Sequence, residues 1–86
     1  MLREVMKKNS ISVDNLWEHC RSVSKKQIKK AQNPKDMKSL DVEVLDRILV
    51  GLNQLVNPPP KVGDVFPTRE DAIRGYRWVK NGKMVV

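Results

Sequence analysis

One cysteine, Cys20, and one histidine, His19, are all that this 86-residue chain has of either. A single cysteine closes no disulfide within a chain and fits a reducing compartment. The pair finds no second cysteine or histidine to complete a zinc site. It also makes a poor nucleophile–base couple, because consecutive helix residues point about 100° apart. No P-loop, GxGxxG or HExxH is present, so no enzymatic chemistry, metal or cofactor is expected. No apolar run reaches signal-peptide length or the length of a membrane span. A soluble cytoplasmic protein with no membrane partner is therefore expected. Repeats and low-complexity tracts are absent as well.

Acids are scarce beside bases. Lys and Arg number 17 against 10 for Asp and Glu, giving a net charge of +7 and a pI near 9.9. That sign favours polyanionic partners, nucleic acid first and acidic membrane surfaces second. The distribution is sharper than the total. Arg21, Lys25, Lys26, Lys29, Lys30, Lys35 and Lys38 fall together with Asp36 as their single acid. The next segment, Leu40 to Val56, carries Asp41, Glu43 and Asp46 against Arg47 alone. Most of the net charge therefore sits on one short element.

Helical spacing organises the rest. Leu2, Val5 and Met6 mark a first helix, with Lys7 and Lys8 near its end, where cations suit the helix dipole. Ile11 plugs the connection. Ser12 is a natural N-cap for a second helix with Asp14 in its first turn, and Leu16, Trp17 and Cys20 form its expected buried face. Arg21-Ser22-Val23 is a turn. Ser24 caps a third helix whose apolar positions, Ile28 and Ala31, leave Lys25, Lys26, Gln27, Lys29 and Lys30 outward or flanking. Asn33-Pro34 stops it, and a loop follows. Asp41 caps the longest helix, with Val42, Leu45, Ile48, Leu49, Leu52 and Val56 on one stripe. Gly51 and Asn53 weaken its later part. Asp41, Glu43 and Asp46 suit a cap and a solvated face better than paired catalytic acids.

Asn57-Pro58-Pro59-Pro60 is a stiff, extended spacer. Thr68 then offers an N-cap, with Asp71 at the capping-box position and Ala72, Ile73 and Tyr76 facing inward. Tyr76 to Lys80, Asn81-Gly82 and Lys83 to Val86 match a strand–turn–strand hairpin, since Asn-Gly accepts the positive φ that such turns need. The expected fold is mainly α: a four- to five-helix bundle, then a C-terminal short helix and β-hairpin. The expected division is residues 1–57 as the bundle, 58–66 as a Pro-rich connection and 67–86 as an extension for packing or dimerisation.

A second helix followed by a turn and a basic third helix has the layout of a helix-turn-helix. From Leu2 to about Phe66 the chain resembles the lambda-repressor-like (Cro/XRE) helix-turn-helix domain. LREVMKKNSIS matches its first helix and exit, VDNLWEHC its second helix and VSKKQIKKA its recognition helix. SLDVEVLDRILVGL matches the fourth helix, and VGDVF the closing phrase. The resemblance implies sequence-specific binding of double-stranded DNA by a small transcriptional regulator or repressor, acting as a homodimer on two half-sites. By position, Lys25, Lys26 and Gln27 would approach base edges, Lys29 and Lys30 bases or phosphates, and Ser12 and Val13 the DNA backbone, with Ser24 at the start of the same DNA-binding helix. Lysine reaches guanine O6 and N7, and Gln27 pairs with adenine N6 and N7.

Two positions depart from the family. Trp17 stands where a small residue is usual, and the turn lacks the usual Gly and is one residue longer. An antitoxin, or a protein-interaction module of the same fold that reads little sequence, is the alternative; residues 58–86 would then engage a protein partner. A third reading is an RNA-binding accessory protein using the basic, aromatic hairpin of Tyr76, Arg77, Trp78, Lys80 and Lys83.

Overall fold

Apolar residues recur at helical spacing in each segment, and among the described residues every regular element is a helix. The computed structural model describes residues 1–80. Its order is α1 (Leu2–Lys8), α2 (Val13–Glu18), α3 (Lys25–Ala31), α4 (Pro34–Met37), α5 (Val42–Leu55), α6 (Val62–Val65) and α7 (Glu70–Lys80). The long α5 is the spine, packed most extensively against α7 and α2. Leu45, Ile48, Leu49 and Leu52 of α5 are buried with Leu2, Met6, Leu16, Val23, Ile28, Ala31 and Met37. Val65, Phe66 and Ile73 belong to the same core, so α6 and α7 share the interior of the first five helices.

Local chemistry sets the ends. After α1 the chain closes a Schellman turn, with Ile11 N–H donating to Met6 O at 2.9 Å and Ser10 N–H to Lys7 O at 3.2 Å. Ser10 takes φ 55° there, the left-handed conformation that glycine usually supplies. Ile11 packs against the core as a plug. Asp41 occupies the N-cap position of α5, but its side chain makes no capping hydrogen bond.

Several expectations are corrected. Pro34 ends α3 and also begins α4: Asn33 caps that single turn by accepting from Lys35 N–H at 3.0 Å, and proline at the first helical position gives up no hydrogen bond. Helix α7 starts at Glu70, so Thr68 is not its cap. Arg69 holds that position, its carbonyl accepting from Ile73 N–H at 3.0 Å. Ala72 is exposed, whereas Ile73 is buried. The expected first hairpin strand, Tyr76 to Lys80, is the end of α7. Contacts with α5 override the strand preference of Tyr, Trp and Val there. Asn81-Gly82 and Lys83 to Val86, the rest of that hairpin, lie outside the described residues.

Asp46 is buried, not part of a solvated face, and its carboxylate accepts from Arg77 Nε of α7. Arg69 Nη1 donates to the carbonyls of Met37 (3.2 Å), Lys38 (3.0 Å) and Leu40 (3.0 Å). The two arginines tie the C-terminal segment to the α4–α5 connection and to α5.

Gly51 has a tertiary reason to be glycine. A Cβ there would lie 2.6 Å from Cys20 Sγ and 2.9 Å from His19 O, where the end of α2 crosses α5. Gly51→Ala gains about 1 kcal/mol of helix propensity but presses on backbone that cannot swing away. Overpacking of this kind costs about 1–3 kcal/mol. A net loss of roughly 1 kcal/mol, read as a lower urea midpoint, is expected.

Candidate nucleic-acid interface

The second and third helices meet through apolar residues and turn their polar residues outward. Leu16 of α2 and Ile28 and Ala31 of α3 are fully buried, and Val23 pins the turn between them. Ser22 takes φ 57° in that turn, the conformation glycine favours. Each helix is capped as its sequence predicts. Ser12 Oγ accepts from Asn15 N–H at 3.0 Å. Ser24 Oγ accepts from Gln27 N–H at 3.1 Å, and Gln27 Oε1 accepts from Ser24 N–H at 3.0 Å, a complete capping box.

That box bears on Gln27. Its amide oxygen already accepts from the Ser24 backbone, so bidentate pairing with adenine would draw on that oxygen's second lone pair together with the Nε2 donor. Lys25, Lys26, Lys29 and Lys30 are all exposed, and α3 contains no acid. Ser12 and Ser24 are exposed, while Val13 is half-buried against the core. Lys25 Nζ lies 3.0 Å from Asp14 Oδ1, so the first turns of α2 and α3 stand side by side. Lys29 lines a cleft with Arg3 of α1, Gln32, Asn33 and Pro34, which extends the cationic surface beyond α3.

Trp17 corrects the expectation of a core residue. It is 41% exposed, and Lys25 Nζ sits 4.8 Å from its ring centroid. With Glu18, Cys20, Ser22, Val23, Ser24 and Gln27 it lines an open groove beside the start of α3. No protein-family model, curated protein or solved structure matches this chain.

Sequence reasoning missed Asp14, Trp17 and Arg3 as neighbours of the lysine cluster. The one signal was at Trp17, a large ring where close helix packing wants a small side chain. Cys20 is half-buried against Gly51, and burial pushes its thiol up to about 11, so it is protonated at neutral pH. His19 Nδ1 lies 3.0 Å from Asn15 O. Among the described residues no group of three or more His, Cys, Asp or Glu is placed to hold a metal. None of the described helices is long and apolar enough to cross a membrane.

Proposed function

We propose that this chain is a small duplex-DNA-binding regulator of the lambda-repressor-like helix-turn-helix class, with α3 as its recognition helix. The observation that carries the reading is the two-sidedness of α3. Ile28 and Ala31 are fully buried, whereas all four of its lysines face water with no acid among them. The adjoining α2, the turn centred on Ser22 and the cap at Ser24 support the same reading. A helix of this form fits the major groove, where lysines meet guanine edges or phosphates. Four lysines and one glutamine favour strong electrostatics with moderate base discrimination. Ser12 and Val13 would stand by the backbone, and Arg3 would add a phosphate contact beside Lys29.

Fluorescence anisotropy with random duplex across a salt series, beside a selected pool, tests this. Affinity should fall steeply with salt, and selection should return a motif, palindromic if two copies bind together. Lys26→Ala with Lys30→Ala should weaken binding about 10- to 30-fold and lower the salt slope by about two. Salt-sensitive binding without any motif would leave a basic patch and turn the search to another partner.

One observation favours a second reading, a protein-interaction module. Trp78 and Val79 of α7 are 54% and 57% exposed. The RNA reading loses the first strand of its hairpin, because Tyr76 to Lys80 are helical.

A further inference from the structure

The first lysine of α3 already has a partner. Its ammonium lies 3.0 Å from the Asp14 carboxylate and over the face of the Trp17 indole, 4.8 Å from the centroid. We infer that Asp14, Trp17 and Lys25 form a counter-ion latch on the DNA-binding face: Asp14 holds Lys25 over Trp17 in the free protein, and a duplex phosphate takes the place of Asp14. This inference rests on the reading of α3 as a DNA-binding helix.

Three observations carry it. Carboxylate and phosphate oxygens accept the same charge-assisted hydrogen bond from an ammonium, so one can replace the other without moving Lys25. The pair is weakly held, because the Lys25 and Asp14 side chains are 46% and 73% exposed and water screens them. Asp14 is not the cap of α2, which Ser12 supplies, and its remaining contribution is the modest favourable term of an acid in a helix's first turn.

Trp17 gives the latch its floor. An indole face attracts a cation and restricts where the lysine points, and this ring is partly exposed instead of filling the core. Glu18 is the other acid of α2 and lines the groove on the Trp17 side, while α3 contributes none. Asp14 therefore lowers affinity twice: it occupies Lys25, and it repels incoming phosphate.

The test compares the full chain with Asp14→Asn, Lys25→Met and the double variant, titrated into duplex of one sequence at low and at raised salt. Asp14→Asn should bind about threefold to tenfold more tightly at low salt, with the gain fading as salt screens the charges. In the Lys25→Met background most of that gain should vanish. In a Trp78→Phe background Trp17 is the remaining indole, and duplex should shift its emission. Duplex binding by the parent chain that Asp14→Asn leaves unchanged or weakens would overturn the latch while the DNA reading stands. A gain that survives fully in Lys25→Met would overturn it in favour of simple repulsion by Asp14. Unchanged Trp17 emission on saturation with duplex would also overturn it. If no variant binds duplex, the latch and the DNA reading fall together.

Discussion

Phe66→Ala should cost about 4 kcal/mol and lower the urea midpoint of unfolding sharply. Phe66 is the single phenylalanine of the sequence and the bulkiest of the fully buried side chains. It follows α6 directly, with its N–H donating to Val62 O at 2.9 Å, and it shares a core with Leu2, Leu49 and Ile73. Removing a buried ring loses its transfer energy and leaves a cavity that neighbours fill only in part. An 86-residue domain has roughly 4–13 kcal/mol of stability in all, so this one change takes much of it. Urea unfolding followed by helical circular dichroism reads the effect. Phe66→Leu should keep most of the stability. A wild-type midpoint for Phe66→Ala would mean that the chain beyond the proline run adds nothing to the core.

Arg77→Ala should destabilise by about 3 kcal/mol, for a different reason. Asp46 is a carboxylate on the spine helix whose side chain is 4% exposed, and Arg77 is its charged partner. Truncating the arginine leaves that charge buried and uncompensated. Breaking a buried pair costs about 3–5 kcal/mol, and the lower end applies because the arginine side chain is 34% exposed and water reaches the gap. Pairing Arg77→Ala with Asp46→Ala should recover a large part of the loss. A double-mutant cycle then isolates the coupling. Additive losses would show that the Arg77–Asp46 pair does not couple α7 to α5.

The candidate interface was legible to an unequal degree. Ser12 and Ser24 cap their helices as read, because capping is decided by four consecutive residues. Lys25, Lys26, Lys29 and Lys30 are exposed because Ile28 and Ala31 turn the other side of a short helix inward. Trp17 departs from the buried stripe that its spacing suggests; only the packing of α2 on α3 and α5 shows that Leu16 and Cys20 turn to the core while Trp17 does not. Gln27 lies on the helix that the sequence indicates, and its amide also closes the capping box with Ser24, a contact set by residues three apart.

The C-terminal third was the least legible. Tyr76 to Lys80 have the composition of a strand, and Asn81-Gly82 is a strong hairpin signal. Tertiary contacts with α5 keep that stretch helical, through Ile73 and the Arg77–Asp46 pair. The same pair explains why Asp46, charged and next to Arg47 in sequence, is not on the solvated face.

By itself the sequence determined the mainly helical class, the starts of α2, α3 and α5, the core stripe of α5 and the concentration of positive charge on α3. Those follow from periodicity, capping and composition, which act over a few residues. Tertiary structure alone decided that Phe66 joins the core, that Gly51 must lack a side chain where α2 crosses α5, and that Asp46 pairs with Arg77. It also left Trp17 partly exposed beside Lys25. Each of these depends on residues distant in sequence being brought within contact, and no local pattern carries that distance.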